Sequence, residues 1–390
     1  MLLGSEVFFK ESSWIQKVQG KKIGFMGHAA SVTQNMSHTL SLLLNHPDIN
    51  VTALFSPQHG LTGTKQANMI THEDSSLNGL PIFSLYSKKT RRFTPQMLST
   101  FDVLLVDLQD TGCRIYTYLT TLFYALEDGQ DKTIIILDRP NPLRRKVEGS
   151  LLKDQFTSFV GAAPLPISHG LTLGEAASWF KNYKKLKTNL IVIPMKDYSP
   201  EDPWPLPWVQ PSPNMTEFST AQCYPGTVLL EGTNISEGRG TTLPLEVFGI
   251  PYLKTEQIKK RMEEKGAEFL TGCALRPHEF EPVFDKYKGE ICRGFQIHLN
   301  PSWRTKGPFR PYRLISLFLK CLYEIQKDFE WKKPPPYEYE FEKWPIDILS
   351  GCDRLRKWIE DPNSSVKEWN EWLTEEETQW QKERAPFLLY

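Results

Sequence analysis

Short runs of apolar residues, each ending in polar side chains, recur through the first half of the chain. Most of these runs are continuous rather than alternating in hydrophobicity, which is typical of strands covered on both faces of a sheet. Helical patterns lie between them, and one begins with a capping box formed by Thr172 and Glu175. The alternation predicts an α/β fold with a doubly wound, mostly parallel sheet. The predicted strands are KKIGFMG, INVTALFSP, LPIFSLY, FDVLLVDLQD, TIIILDRPNP and NLIVIPMKD.

The second half of the chain mixes helical patterns with a strand, which predicts a second domain of α+β structure. The segment 202–215 is dense in proline and tryptophan, so we expect a stiff, ordered connection there. We place the boundary just after it, with an N-terminal domain over 1–222 and a C-terminal domain over 223–390. Helices are predicted over 37–45, 116–128, 172–184, 255–269, 312–327 and 366–384, and a further strand over 294–299.

The composition narrows the class of protein. A length of 390 residues exceeds what one hydrophobic core usually organises, which also indicates two domains. The 46 basic and 46 acidic side chains cancel, so the excess of positive charge expected for nucleic-acid binding is missing. No apolar run approaches the ~20 residues of a membrane-spanning helix. The N-terminal sequence lacks a signal-peptide pattern. We therefore expect a cytoplasmic protein, or an exported one if a leader has been removed.

The motifs of several large enzyme classes do not occur in the sequence. It contains no GxxxxGK[ST] phosphate loop, no GxGxxG after a strand, no GxSxG elbow and no HExxH zinc motif. Its six cysteines are scattered without a CxxC pair, so free thiols are expected rather than disulfides or a zinc site. We therefore expect neither a metal nor a cofactor.

Polar side chains follow the predicted strands, and ligands of doubly wound sheets bind beyond the carboxyl ends of the strands. Pro57 ends the second strand because it has no N–H to donate to a neighbouring strand. Gln58 and His59 follow it directly. This position makes both side chains candidates for a ligand site at the edge of the sheet.

The exit DLQDTGCRIYTY is the most polar of these strand ends. It contains Asp107, Asp110, Arg114 and Tyr116. One interpretation is a polar ligand site, in which the tyrosine forms a platform for a sugar ring. The alternative is structural: Asp110 caps the next helix and Arg114 pairs with Asp107.

Three further segments place polar side chains in restricted backbone. Asp138 and Arg139 lie in LDRPNP, where a buried structural network is the alternative to a ligand role. His169 and Asn214 lie in the proline-rich loops PISHG and PSPNM. In EGTNISEGRGTT, glycines would let the backbone approach a ligand closely. The candidates there are Asn234, Glu237 and Arg239, with Glu231 as a further acid.

Carboxylates combined with Arg, Asn, His and Tyr suit hydrolysis of a polar, ring-containing substrate. Glycoside hydrolysis needs a proton donor and a carboxylate that acts as base or nucleophile.

The same segments carry a resemblance to a known family. SPQHGLTG, DLQDTGCRIYTYLTT, LDRPNPL, PISHGLTLGE, PSPNM and YPGTVLLEGTNISEGRGTTLP follow the order found in the NamZ-like exo-β-N-acetylmuramidases, formerly a domain of unknown function. The resemblance covers nearly the whole chain. It implies a Rossmann-like N-terminal domain, a smaller C-terminal domain and an active site in the cleft between them. It also implies release of N-acetylmuramic acid from the non-reducing end of peptidoglycan fragments, in cell-wall recycling.

The resemblance implies that the candidate residues lie in or near the active site, and their chemistry suggests a role for each. We predict Glu237 as general acid, Asp110 as base or electrostatic stabiliser, and His59 as a supporting donor. Either Arg114 or Arg239 would pair with the lactyl carboxylate, because a guanidinium matches it bidentately. The predicted substrate-binding residues are Asp107, Arg114, Tyr116, Asp138, Arg139, His169, Asn214, Asn234 and Arg239.

One residue departs from the family pattern. Relatives usually have glutamate in a Pro-Glu-His-Gly motif, where this chain has Gln58. Glutamine has nearly the same shape but no titratable proton for a leaving group. The alternative function is therefore a muropeptide-binding protein with impaired catalysis. The anomeric outcome, the fragment length and the oligomeric state stay open at this point.

Overall fold

A computed structural model of the chain describes residues 1–65, 74–300, 307–334 and 341–390. Within these residues, seven strands form one sheet in the order β3-β4-β2-β1-β5-β6-β7. All neighbouring pairs are parallel except β3 and β4, which confirms the predicted sheet. The strands are β1 Lys22–Gly27, β2 Asn50–Ser56, β3 Ser75–Leu77, β4 Leu80–Ser84, β5 Val103–Asp107, β6 Thr133–Leu137 and β7 Asn189–Ile193.

Both faces of the sheet are covered, which explains why its strands are continuously apolar. Along β5, Val103 and Leu105 pack into the core on one face, and Leu104 and Val106 pack into the core on the other. The N-terminal helices α1 to α3 cover the first face, and α5 and α6 cover the second. The helices are α1 Gly4–Lys10, α2 Ser12–Val18, α3 Thr39–Leu44, α4 Pro95–Leu98, α5 Thr117–Asp128 and α6 Leu173–Tyr183.

The C-terminal half contains a small antiparallel sheet in the order β8-β10-β9, surrounded by helices. The long predicted helices are present within a few residues of their predicted bounds. The unpredicted elements are α1, α2, α4 and β3 in the N-terminal half and α7, α10, α11, β8 and β9 in the C-terminal half. These elements are short, or their apolar residues do not recur at a regular helical or strand spacing. The elements are α7 Phe218–Thr227, β8 Val247–Ile250, α8 Thr255–Gly266, β9 Ala274–Phe280, β10 Cys292–His298, α9 Pro311–Ile325, α10 Pro345–Ser350, α11 Arg354–Glu360 and α12 Val366–Arg384.

Among the described residues, no helix combines the length and apolar character needed to span a membrane. All six cysteines are unpaired, and five of them are buried. The core on the second face of the sheet continues without interruption into α9 and α12 of the C-terminal half. The two halves are therefore packed against each other through apolar side chains.

The last residues of the chain pack against the N-terminal half, next to the ends of β6 and β7. The Tyr390 hydroxyl donates to Asp138 Oδ2 over 2.8 Å and accepts from the Met195 backbone N–H over 2.9 Å. Arg145 donates to the Tyr390 backbone carbonyl over 2.9 Å, and the Leu389 N–H donates to Glu175 over 2.7 Å. These bonds hold the last residues beside β6 and β7.

Replacing Tyr390 with phenylalanine is expected to destabilise the fold by about 1–3 kcal/mol, because a buried N–H and a buried carboxylate each lose a partner. The unfolding free energy should be measured in urea by linear extrapolation. Tyr252→Phe is the matched control, because Tyr252 is 81% exposed. Equal stability of the two variants would contradict a structural role for the Tyr390 hydroxyl.

Candidate active site

A cleft lies between the carboxyl end of β2 and the loops that follow α7, with about 510 Å³ of empty space including the part open to solvent. Residues from both halves of the chain line it. The ends of the sheet and the glycine-containing loop thus meet at one site. Its principal polar side chains are Gln58, His59, Tyr116, Asn214, Glu231 and Arg239.

Gln58 and His59 reach the cleft because the chain turns sharply after Pro57. His59 and Gly60 both have positive φ angles, 75° and 79°, and the left-handed conformation is costly for a residue with a Cβ atom. Gln58 Oε1 accepts a hydrogen bond from the Thr117 hydroxyl over 2.7 Å. The first turn of α5 therefore fixes the position of the Gln58 side chain.

The tautomer of His59 follows from its contact with the Lys65 backbone. His59 Nδ1 lies 2.7 Å from the Lys65 carbonyl oxygen, which can only accept a hydrogen bond. Nδ1 therefore carries a proton, and in the neutral ring Nε2 is an acceptor. This arrangement differs from the supporting donor that we predicted, because a neutral His59 would take a proton at Nε2 rather than give one.

Two glycines with positive φ place Arg239 on the wall of the cleft. Gly238 and Gly240 have φ angles of 78° and 82°. An added Cβ would lie 2.6 Å from the Val247 carbonyl oxygen at Gly238 and 2.6 Å from the Phe284 carbonyl oxygen at Gly240. Only glycine fits at positions 238 and 240 unless the backbone moves.

Arg239 bridges two carboxylates. Its Nε donates to Glu237 over 3.0 Å, and its Nη2 donates to Glu231 over 2.6 Å. Lys286 Nζ donates to the other Glu237 oxygen over 2.9 Å. Although burial opposes it, the two cations lower the pKa of Glu237. Glu237 is therefore held as an anion behind Arg239.

This placement argues against the predicted role of Glu237 as general acid. A general acid must be protonated at the working pH and must reach the leaving group. Glu237 does not line the cleft, and its side chain is 2% exposed. Glu231, which the sequence showed but which we did not select, is the carboxylate that lines the cleft. The signal that could have identified it is its position in the same glycine-containing segment.

Asp110 and His169 face each other outside the cleft. Asp110 Oδ1 accepts from the Gly112 N–H over 2.6 Å, and His169 Nδ1 accepts from the Leu171 N–H over 3.2 Å. His169 Nε2 lies 4.0 Å from Asp110 Oδ1, too far for a hydrogen bond. Burial raises the pKa of Asp110 to about 7 and lowers the pKa of His169 to about 3.

These pKa values predict a specific pH dependence of stability. Because the pKa of Asp110 is raised on folding, its stabilising contribution is complete below about pH 4 and is lost as the pH rises through 7. Between pH 4 and pH 8, Asp110→Asn is expected to gain up to about 4 kcal/mol of stability relative to the wild type. The unfolding free energies of Asp110→Asn and the wild type should be measured in urea across this pH range. Asp131→Asn, at an exposed position, is the control. A constant difference between Asp110→Asn and the wild type would contradict it.

Asp107 and Arg139 form a buried ion pair away from the cleft. Arg139 Nη2 donates to Asp107 Oδ2 over 3.0 Å and to the Val32 carbonyl over 2.7 Å. The Thr39 hydroxyl donates to the same Asp107 oxygen over 2.6 Å. The partner of Asp107 is thus Arg139, whereas our structural alternative paired it with Arg114. The network holds the ends of β5 and β6 together.

Arg114 also lies outside the cleft. Its guanidinium donates to three backbone carbonyls, those of Ser150, Leu165 and Leu349, over 2.7–3.0 Å. The side chain is 1% exposed. Arg114 therefore joins the two halves of the chain, and its placement leaves Arg239 as the better partner for a lactyl carboxylate.

Asp138 and Asn234 have structural partners as well. Asp138 accepts from the Thr172 hydroxyl and the Gly174 N–H over 2.7 and 2.9 Å, in addition to Tyr390. Asn234 donates to the Asp328 carbonyl over 2.7 Å and accepts from the Glu330 N–H over 3.1 Å. Neither residue lines the cleft, so the structure offers no contact with a ligand there.

The remaining two predicted residues do reach the cleft. Tyr116 immediately precedes α5, and its ring packs edge-on against Tyr118 and Tyr224 at centroid distances of 4.7 and 6.1 Å. Burial raises the pKa of its hydroxyl, so Tyr116 is neutral. Asn214 belongs to the proline-rich connection between the halves. Among the described residues, no cluster of His, Cys, Asp and Glu side chains could hold a metal ion.

Known proteins resemble this chain in both sequence and fold. Models described as the N-terminal and C-terminal parts of exo-beta-N-acetylmuramidase NamZ match residues 23–219 and 222–390. The peptidoglycan beta-N-acetylmuramidase NamZ of Bacillus subtilis (strain 168) is 35% identical over 385 residues, which cover 96% of this chain and 88% of that protein.

Two crystal structures of DUF1343 family proteins from Bacteroides fragilis have the same fold. They superpose with TM-scores of 0.84 and 0.76 at 27% and 29% sequence identity. Each comparison covers 100% of this chain and 98% of the other.

Proposed function

The chain belongs to the NamZ family of exo-β-N-acetylmuramidases, and on this premise we propose that it releases N-acetylmuramic acid from the non-reducing end of peptidoglycan fragments. The family membership makes it a glycosidase. The observation that carries the proposal is the position of Glu231 and Arg239 opposite the end of the N-terminal sheet in one cleft. The cleft thus contains a carboxylate that could act at the glycosidic bond of the substrate and a guanidinium that could bind its lactyl carboxylate.

Glu231 is the proposed electrostatic partner of the transition state. Glycoside cleavage develops positive charge on the sugar ring, and a carboxylate anion in a cleft stabilises such charge. Arg239 binds one Glu231 oxygen over 2.6 Å and thereby orients the carboxylate. Glu231 is therefore the residue whose removal should affect the chemical step most.

Arg239 is the proposed ligand of the lactyl group. Its Nε and Nη2 serve Glu237 and Glu231, so Nη1 is the guanidinium nitrogen not engaged by these two carboxylates. A lactyl carboxylate would complete a set of three anions around one fixed cation. This contact would distinguish N-acetylmuramic acid from N-acetylglucosamine, which lacks the lactyl ether.

His59 is the proposed base of the site. Its neutral tautomer presents Nε2 as an acceptor, as the contact with the Lys65 carbonyl requires. An acceptor beside a cleft can take a proton from an attacking water or from a sugar hydroxyl. His59 would then act on the nucleophile rather than on the leaving group.

A muropeptide-binding protein with impaired catalysis is the second candidate function. It is favoured by Gln58, which lines the cleft at the position where the resemblance implies a glutamate. An amide cannot protonate a leaving group. The same cleft would then bind the saccharide but cleave it slowly.

Incubation with a disaccharide of N-acetylmuramic acid β-linked to N-acetylglucosamine tests the proposal, with the products identified by mass spectrometry. Release of both monosaccharides is the expected result. The isomeric disaccharide with N-acetylglucosamine at the non-reducing end is the control and should remain intact. Binding of the first disaccharide by calorimetry without any release would support the second candidate.

A further inference from the structure

A second concavity adjoins the cleft. It is a groove with about 1150 Å³ of empty space including the part open to solvent, which we call the distal groove, and its walls include Asn214, Thr216, Thr241, Leu243, Val283 and Phe284. Asn214 lines both the cleft and the groove, so the two spaces meet at this side chain. A chain-like substrate that leaves the cleft past Asn214 would enter the groove.

The loop that carries Arg239 fixes the position of the distal groove relative to the cleft. Gly240 follows Arg239 directly, and its carbonyl accepts from the Val283 N–H over 2.9 Å. The backbone of Phe284 packs so closely on Gly240 that an added Cβ would lie 2.6 Å from its carbonyl oxygen. The wall of the groove is thus attached to the residue that we propose binds the lactyl group.

The groove combines apolar surface with hydroxyl and amide groups. Val283 and Phe284 are adjacent in the chain and are 68% and 37% exposed, so they give the groove apolar surface that a ligand can contact. The hydroxyl-bearing Thr241 and Thr242 and the amide of Asn214 lie on the same walls. A pyranose ring has an apolar face and a rim of hydroxyl groups, so both kinds of surface find a counterpart in a sugar.

The charges on the walls favour a neutral ligand over an anionic one. The ionisable residues there are Glu279, Glu281 and His278. Burial and the neighbouring Arg276 lower the pKa of His278, so it is uncharged at neutral pH. Glu279 is paired with Arg293 over 2.8 Å. A peptide stem rich in carboxylates would meet no cation on these walls.

We propose that the distal groove binds the neutral amino sugar on the reducing side of the scissile bond, with Phe284 as its stacking platform. This inference rests on the proposed function, because it assigns the leaving-group side of the same substrate. Binding energy from this remote sugar would be used to position the glycosidic bond in the cleft. The groove would therefore favour saccharides over isolated muramosides.

The test compares two substrates with the wild type, Phe284→Leu and Phe284→Tyr. One substrate is N-acetylmuramyl-β-1,4-N-acetylglucosamine, and the other is β-N-acetylmuramosyl fluoride, which has no second sugar. Phe284→Leu is expected to lower kcat/KM about tenfold for the disaccharide, from the loss of one aromatic contact. The fluoride should be hydrolysed at the wild-type rate, and Phe284→Tyr should retain activity on both. Tyr252→Ala, at a position 81% exposed and outside the groove, is the control.

The outcomes separate the groove from the proposed function. Equal losses on both substrates, or no loss on either, would overturn the role of the groove while leaving the muramidase activity established. If no variant hydrolyses either substrate, the proposed function fails. In that case calorimetry still decides the question: Phe284→Leu should weaken binding of the disaccharide about tenfold but not binding of N-acetylmuramic acid.

Discussion

Replacing Gln58 with glutamate is expected to raise the rate of disaccharide cleavage by about 10²–10⁴-fold, the usual contribution of a general acid. The two side chains have nearly the same shape. The Thr117 hydroxyl, which donates to Gln58 Oε1 over 2.7 Å, can donate equally to a carboxyl oxygen. The substitution therefore adds a titratable proton to the cleft with little change in packing.

The size of the gain should depend on the leaving group. A sugar hydroxyl leaves poorly unless it is protonated, whereas 2,4-dinitrophenolate leaves without help. Gln58→Glu should therefore accelerate the disaccharide strongly and the dinitrophenyl muramoside hardly at all. Measuring kcat for both substrates with both proteins isolates the proton transfer from binding.

Gln130→Glu is the control, since it adds the same charge at an exposed position. An equal gain on both substrates would point to a general effect on binding or folding. If the wild type already cleaves the disaccharide as fast as Gln58→Glu, the proton comes from another residue and the impaired-catalysis candidate is excluded. A gain confined to the disaccharide would show that the cleft is complete except for its acid.

The positions of Gln58 and His59 could be predicted from the sequence because they depend on local rules. A continuous apolar run predicts a buried strand, a proline ends it, and the carboxyl ends of parallel strands form the ligand edge of a doubly wound sheet. The same rules placed Tyr116 at the start of α5. Each step needs only neighbouring residues, so the pattern was sufficient.

The choice between Glu231 and Glu237 could not be made from the sequence. Both lie in one loop, and their directions depend on positive φ angles at Gly238 and Gly240. The cation that holds Glu237 is Lys286, almost fifty positions further along the chain. Long-range contacts of this kind have no local signature.

The roles of Arg114 and Asp138 also could not be predicted from the sequence, because their partners are distant along the chain. The Arg114 guanidinium donates to the carbonyls of Ser150 and Leu349, and the Asp138 carboxylate accepts from the hydroxyl of Tyr390. A charged side chain next to a strand end was equally compatible with a ligand and with such distant backbone partners. The degree of burial decides between a ligand role and a structural role, because a fully buried charge needs hydrogen-bond partners or a counter-charge within the fold.

The two carboxylates that flank Arg239 provide the second large effect, because their removal should have opposite consequences. Glu231→Gln is expected to lower kcat by about 10²–10³-fold through the loss of charge stabilisation, with a smaller loss of unfolding free energy because Arg239 keeps Glu237. Glu237→Gln removes the carboxylate partner of Lys286, leaves Arg239 with Glu231 alone, and is expected to cost about 3–5 kcal/mol of stability. Each variant is thus the matched control of the other.

Both variants should be measured for kcat on the dinitrophenyl muramoside and for unfolding in urea, at a temperature where Glu237→Gln remains folded. The dinitrophenyl substrate is chosen because its cleavage does not need an acid, so only the stabilisation of the sugar cation is tested. A normal kcat for Glu231→Gln, or a large loss of kcat in folded Glu237→Gln, would reverse the assignment. Glu231 would then support the structure of the loop, and Glu237 would act on the substrate from behind Arg239.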